Sequence, residues 1–309
     1  MFPPTVLATL AFVGGVVALA GGAHLFVESA VRVARRFGVS DLVVGLTVVA
    51  VGTSLPELAV GVEAALAGRG GVAVGGVVGS NVYNIAVVLG LVAAVRVVPV
   101  TRGLIRRDAV ALLAATAALV VVVRDGTVSR PEGVVLLVGF VAYLVVLLRV
   151  SPDRLVTERK TRPARPRDGV FLLVGVTLVL AGGQLLVDGA VTLARTLGAS
   201  EWTIGATVVA AGTSTPEAAV SLVALRRGRA SVTLGNVLGS NVLNVLVVLG
   251  LAATVRPVVA GPAAFGGALW LAGLTVLVVA VLRTGHELTR PEGVALLATE
   301  AVRWALSFR

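Results

Sequence analysis

The chain has 309 residues, 57% of them apolar and only 14% charged, against about a quarter charged in an ordinary soluble domain, so a water-soluble globule is excluded. Cysteine is absent, which excludes disulfides, thiol chemistry and cysteine-held metals. The net charge of +10 would suit an anionic polymer, but the arginines lie between apolar runs, where they act as a topology signal at a membrane surface and give no case for nucleic acid.

The apolar runs are roughly 20 residues long, enough to cross about 30 Å of hydrocarbon as helix. They are too long, and lack the alternation, for lipid-facing barrel strands. The fold class is therefore all-α integral membrane. Its 37 glycines fit that class, because small residues let membrane helices approach closely.

The first predicted span, Thr5–Arg36, has no basic segment before it and is longer than a signal peptide's apolar core, so it is read as a retained helix. Further helices are predicted at Asp41–Ala67, Val72–Val95, Leu104–Val123 and Pro131–Leu148. Residues 151–167, SPDRLVTERKTRPARPR, are polar and proline-broken and read as a linker too short for a regulatory domain. A second set follows at Gly169–Leu197, Glu201–Leu225, Val232–Val255, Ala263–Leu282 and Pro291–Ser307. The chain thus divides into a five-helix half (1–150), a cytoplasmic linker (151–167) and a second five-helix half (168–309).

The halves are repeats. GLTVVAVGTSLPELAV from Gly45 matches GATVVAAGTSTPEAAV from Gly205, and GSNVYN from Gly79 matches GSNVLN from Gly239, without a gap. The RPEG motifs at Arg130 and Arg290 keep the same spacing and read as helix starts, with proline at the first position and glutamate near the positive end. An odd number of helices per half makes the second half enter from the opposite side. With the N-terminus outside, the cytoplasmic connections collect 19 of the 26 basic residues, as the positive-inside bias requires. Both termini are therefore expected to be extracytoplasmic in a multi-pass protein of the cell membrane. Inverted repeats of this kind are the usual architecture of secondary transporters, with broken helices and the site near the midplane.

Two acids stand where that site should be. Glu57 and Glu217 fall mid-span at matching positions, and neither span contains Lys, Arg or His to pair with them. Ionisable groups at such depth are expensive and mark function. Just before each glutamate, Pro56 and Pro216 remove a backbone donor and clash with the carbonyl four residues back, on Gly52 and Gly212. A helix broken at membrane depth results, which is tolerable only if buried or lining a polar cavity. Carbonyls, hydroxyls and carboxylates make an all-oxygen site suited to Ca2+ and Na+. Ser80 and Asn84 share a helix face, as do Ser240 and Asn244, and these four are read as completing the site. Gly79, Asn81, Gly239 and Asn241 are read as packing residues. Gly76 stands where the second half has Asn236, and only a packing consequence is expected.

The paired motifs GTSLPE with GSNVYN and GTSTPE with GSNVLN resemble the two alpha-repeats of the Ca2+/cation antiporter superfamily, nearest to its prokaryotic sodium/calcium exchangers. The resemblance covers nearly the whole chain. It implies four cation subsites in a diamond, one for Ca2+ and the others for Na+, with access alternating as the first and sixth helices slide. By motif position it assigns the central acids to Glu57 and Glu217, serine ligands to Ser54, Ser80, Ser214 and Ser240, and backbone carbonyls to Thr53, Thr213, Ala50 and Ala210. One position departs: Asn244 replaces the aspartate usual in the nearest exchangers, opposite Asn84. Two carboxylates remain, balancing one Ca2+, and proton-coupled relatives manage with the same number. Exchange of Ca2+ for Na+ is the leading reading and exchange for H+ its rival, both with no cofactor and a monomer as the working unit.

Other functions fit less well. An intramembrane enzyme would need a base beside Ser54 or Ser214, and the sequence offers no Cys, His or Lys there. A channel would need no counter-ion. Elsewhere, His24, Glu28 and Asp188 read equally as vestibule or helix-end residues, and Glu63 as a helix-end residue.

Overall fold

A computed structural model describes residues 4–36, 41–149, 167–196, 210–261 and 263–307. It opens on α1 (Pro4–Arg36). A segmented helix follows: α2 (Asp41–Val44), the π-helical turn π1 (Gly45–Val49), α3 (Ala50–Thr53) and α4 (Leu55–Leu66). The next span runs through α5 (Gly70–Tyr83), π2 (Asn84–Leu89) and α6 (Gly90–Val95), with β1 (Val98–Pro99) after it. Then come α7 (Arg102–Val122), β2 (Thr127–Val128), α8 (Arg130–Arg149) and α9 (Arg167–Thr196). The second segmented helix is described from α10 (Ala210–Thr213) and α11 (Thr215–Arg226) onward. The chain continues through α12 (Ala230–Leu243), π3 (Asn244–Leu249), α13 (Gly250–Val255), β3 (Val258–Val259), α14 (Ala263–Gly285), β4 (Glu287–Leu288) and α15 (Arg290–Ser307).

Most predicted linker residues, and residues 201–209 of the predicted seventh helix, lie outside the described residues. Arg167, assigned to the linker, opens α9 instead. The RPEG helices also start one residue earlier than expected. Ser129 and Thr289 cap them, each donating its backbone N–H and its hydroxyl to a glutamate carboxylate: Ser129 to Glu132 at 2.8 and 2.6 Å, and Thr289 to Glu292 at 2.7 and 2.7 Å. At Ser129 the bond is returned, the Glu132 N–H donating to Ser129 Oγ at 3.5 Å, the reciprocal capping arrangement that serine or threonine followed by glutamate encodes.

Among the described residues six helices are long and apolar enough to cross a membrane, and the bent pair Gly45–Thr53 with Leu55–Leu66 makes a seventh. Charge keeps α7 and α15 off that count: α7 begins with Arg102, Arg106, Arg107 and Asp108, and α15 carries Glu300 and Arg303. The surface is inverted relative to a soluble protein. Leu10, Val17, Val135 and Leu173 point outward, while Ser, Thr, Asn and Glu side chains are buried within an otherwise apolar interior, as expected for a bundle solvated by lipid.

Packing between helices relies on glycine. A Cβ on Gly22 would lie 3.0 Å from the carbonyl oxygen of Gly175, and one on Gly182 would lie 3.0 Å from that of Gly15. These mirrored contacts hold α1 and α9 together as one layer. A second mirrored set joins α6 to α15, where a Cβ on Gly90 would meet Gly293 at 3.0 Å, and α13 to α8, where one on Gly250 would meet Gly133 at 3.1 Å. Without a hydrophobic drive between helices in lipid, such backbone approach is what makes van der Waals contact extensive.

The short strands pair across the halves. β1 runs antiparallel to β4, with Val98 opposite Leu288, and β2 runs antiparallel to β3, with Val128 opposite Val258. In the sequence repeat β3 is the counterpart of β1, and β4 of β2, so each strand pairs with the counterpart of its neighbour.

Candidate functional site

Both segmented helices break at the residue before the glutamate-bearing helix begins. Ser54 has φ −86° and ψ 10°, and Ser214 has φ −93° and ψ 4°. Proline sits in the first turn of α4 and of α11, where its missing N–H costs no helical bond. In the first half the break bends the axis by 55°. Glu57 and Glu217 therefore occupy the first turn of α4 and α11, near the positive helix end that favours a carboxylate. Each carboxylate also accepts from its own residue's backbone N–H.

The serines at the breaks serve the opposite half. Ser54 donates to Glu217 Oε1 at 3.0 Å, and Ser214 donates to Glu57 Oε1 at 3.0 Å. Ser80 and Ser240 stay within their halves, reaching Glu57 Oε1 at 3.5 Å and Glu217 Oε1 at 3.4 Å. Six of the residues predicted from sequence are thus brought into two matching hydrogen-bonded clusters, one on each glutamate. Glu57 is 6% exposed and Glu217 0%, so both carboxylates lie in the protein interior. Among the described residues no Arg, Lys or His forms an ion pair with either of them.

Each glutamate keeps its other oxygen, Oε2, without a hydrogen-bond partner, and the Oδ1 atoms of Asn84 and Asn244 are also unpartnered. Orphaned oxygens in a buried site call for a ligand that accepts lone pairs, because leaving them bare costs a desolvation penalty. The donor set is two carboxylates with neutral oxygens. Among the described residues no three His, Cys, Asp or Glu side chains cluster as a transition-metal site would, so the set suits a hard cation and not a soft one.

The remaining predicted residues take different places. Asn84 and Asn244 are fully buried where the π-turns π2 and π3 begin. Asn244 donates to Asn81 Oδ1 at 3.1 Å, while neither polar atom of the Asn84 side chain has a partner. Ala50 and Thr53 lie in the last turn before the first break, and the Ala50 carbonyl accepts the Ser54 N–H at 3.0 Å. Ala210 and Thr213 bound the matching turn of the second half. Asn81, read as a packing residue, does tie the halves together: its side chain donates to the Asn241 carbonyl at 3.1 Å.

Asn236 is the residue that sequence reasoning undervalued. It accepts from the Thr53 hydroxyl at 3.2 Å and donates to the Glu217 carbonyl at 3.3 Å and to Ser221 Oγ at 2.9 Å. Its mismatch with Gly76 was the available signal, since a polar side chain inside an apolar span is seldom filler. The π-turns were not foreseen, because apolar runs read by length and hydropathy do not separate a π-turn from regular α-helix.

His24 and Glu28 lie apart from this site. Glu28 pairs with Arg32 at 2.8 Å and with Arg227, Arg32 reaches Asp168 at 2.9 Å, and Arg227 also meets His24. Asp188 accepts from Gln184 at 3.0 Å on an exposed face, and Glu63 is exposed.

A family model described as sodium/calcium exchanger protein matches residues 7–149 and 169–302. The chain belongs to that family. CaxA of Alkalimonas amylolytica, provisionally named an antiporter, is 38% identical, with 94% of this chain and 95% of that one covered. Sodium/calcium exchanger MaX1 of Methanosarcina acetivorans is 30% identical, covering 92% and 93%. Among solved structures, the sodium-calcium exchanger NCX_Mj soaked with Na+ and Sr2+ superposes with a TM-score of 0.86 at 32% identity, covering 97% of this chain and 98% of that one. The match confirms the helical membrane fold expected from the apolar runs.

Proposed function

We propose that this exchanger-family chain is a secondary antiporter that moves Ca2+ against Na+ by alternating access, holding Ca2+ between Glu57 and Glu217. The observation that carries the reading is the pair of buried carboxylates, each bonded to a serine from the other half and each retaining one oxygen with no protein partner. Two carboxylates neutralise one divalent ion. Once the ion leaves, the site must take up Na+ or protons, because two bare charges in low dielectric are costly. That competition couples the two fluxes.

Ser54, Ser80, Ser214, Ser240, Asn84 and Asn244 supply the neutral oxygens in this reading, and Thr53, Thr213, Ala50 and Ala210 supply backbone carbonyls from the broken turns. The architecture we propose is ten spans in two inverted halves with both termini extracytoplasmic, working as a monomer in the cell membrane. The crosswise pairing of β1 with β4 and β2 with β3 supports it. It brings the connection after the third predicted helix beside the connection after the ninth, and the connection after the fourth beside that after the eighth. Only oppositely inserted halves bring those ends to the same side.

H+ in place of Na+ is favoured by one observation, the neutral asparagines at both Asn84 and Asn244, which leave the site with only two acids. Uptake of radiolabelled Ca2+ into proteoliposomes separates the two. A Na+ gradient at clamped pH is expected to drive uptake, and a pH gradient without Na+ is not. Uptake driven by the pH gradient alone would assign the counter-ion to H+, and leakage with no counter-ion would indicate a channel.

A further inference from the structure

The halves match in the residues that face the two glutamates but not in what stands behind them. The second half has Ser221, Thr233 and Asn236 where the first has Gly61, Ala73 and Gly76. All three polar residues are fully buried, and they form one bonded chain. The Thr233 hydroxyl donates to the Ser221 carbonyl at 2.9 Å, and the Asn236 amide donates to Ser221 Oγ at 2.9 Å and to the Glu217 carbonyl at 3.3 Å. The Asn236 oxygen accepts the Thr53 hydroxyl at 3.2 Å. Both amide hydrogens and the oxygen of Asn236 are therefore used, which fixes the orientation of the carboxamide.

The Thr53 hydroxyl also lies 3.1 Å from the Val49 carbonyl and 3.3 Å from the Ala50 carbonyl, and its single proton serves one strong bond at a time. The Ala50 carbonyl already accepts the Ser54 N–H. The bond to Asn236 joins the halves, and the Thr53 side chain also reaches Glu217 of the second half. It lands next to a functional contact, since Ser54, the residue after Thr53, donates to Glu217. Asn236 thus grips both sides of the Ser54–Glu217 contact, through Thr53 on one side and the Glu217 backbone on the other.

We infer that Asn236, seated by Ser221, is a positioning residue that braces the first half's broken turn against the Glu217 helix and so sets the affinity of the site for Ca2+. The inference rests on the Ca2+ site proposed above. Affinity for a hard cation depends on how rigidly its oxygens are held as well as on their number, and Asn236 acts on rigidity alone. Glycine at position 76 has no side chain with which to brace the Glu57 side in the same way. The site is therefore two-fold in its acids but stiffened on one side.

The test is a double-mutant cycle on Ca2+ uptake by purified protein in proteoliposomes, with half-saturating Ca2+ and maximal rate measured separately. Asn236→Gly, which copies the first half, is expected to raise half-saturating Ca2+ about five- to tenfold, the scale of one or two buried hydrogen bonds, with maximal rate within about twofold. Thr53→Val, which keeps the carbonyl and removes the hydroxyl, is expected to raise it in the same direction. Because both changes break one brace, the double variant should be no worse than the worse of the two single variants. Multiplying effects, an unchanged half-saturating Ca2+ in Asn236→Gly, or a fall in maximal rate alone would overturn the inference. If Asn236→Gly does not purify as a folded protein, Ser221→Ala, which removes one acceptor behind the amide, carries the same cycle with a smaller expected rise of about threefold. A wild-type protein that moves no Ca2+ would instead defeat the functional reading, and the brace with it.

Discussion

Ser54 stands three residues before Glu57 in sequence, yet its hydroxyl serves Glu217. That exchange of partners makes each glutamate's surroundings depend on both halves, and it accounts for a site that cannot form in one repeat alone. Charge is the other residue-scale variable. With neutral Asn84 and Asn244, occupancy by one Ca2+ brings the pair of carboxylates to neutrality. Asn244→Asp adds a third carboxylate, which leaves one negative charge beside bound Ca2+ and attracts a further monovalent cation. Na+-driven Ca2+ uptake by this variant is expected to reach half-maximum at roughly three- to tenfold lower Na+, with a steeper Na+ dependence. An unchanged Na+ dependence would show that the position does not face the transported ions. The acids and the serines were legible in the sequence because duplication set them at matching places in spans free of basic residues. The crossing of Ser54 and Ser214 was not legible, since it depends on how the halves dock. Asn236 was misjudged for the same reason: its partners Thr53 and Ser221 lie on two other helices.

The breaks at Ser54 and Ser214 were legible as elements, because proline and glycine act through local sterics that sequence displays directly. The π-turns at Asn84–Leu89 and Asn244–Leu249 were not, as an apolar run read by length and hydropathy looks the same whether its turn is α or π. Helix pairing through glycine lies between these cases. Glycine abundance announced close approach, but which glycines meet required the fold. Gly182 is a sharp instance, since an added Cβ would lie 2.7 Å from the Leu19 backbone nitrogen and 3.0 Å from the Gly15 carbonyl. Gly182→Val is expected to cost about 1–3 kcal/mol through overpacking, read as a melting temperature several degrees lower in detergent. Gly21→Ala, on an exposed face with nothing within 4 Å of its new Cβ, is the matched control and should leave melting nearly unchanged. Equal melting of the two variants would contradict the close packing of α1 on α9.

For the whole molecule, the two halves are joined by contacts that repeat in mirrored pairs: serine to glutamate, glycine to glycine and strand to strand. The ion-pair group of Glu28, Arg32, Asp168 and Arg227 adds a polar tie between α1, α9 and α11. The absence of cysteine makes the proposed orientation easy to probe with single introduced cysteines. Asp125→Cys, in the exposed turn before β2, is expected to react with an impermeant maleimide from outside intact cells. Glu287→Cys, at the exposed position of β4, is expected to react only after permeabilisation. The reverse pattern would invert the topology, and labelling of both in intact cells would break the assignment of β2 and β4 to opposite sides.

The central claim is that Glu57 and Glu217 together hold the transported Ca2+. It is tested most directly by Na+-gradient-driven uptake of radiolabelled Ca2+ into proteoliposomes containing wild type or the double variant Glu57→Gln/Glu217→Gln, with folding checked by a monodisperse gel-filtration peak. The account predicts robust uptake by wild type and uptake at the level of empty liposomes for the folded double variant. Retained Ca2+ uptake by that variant would contradict it.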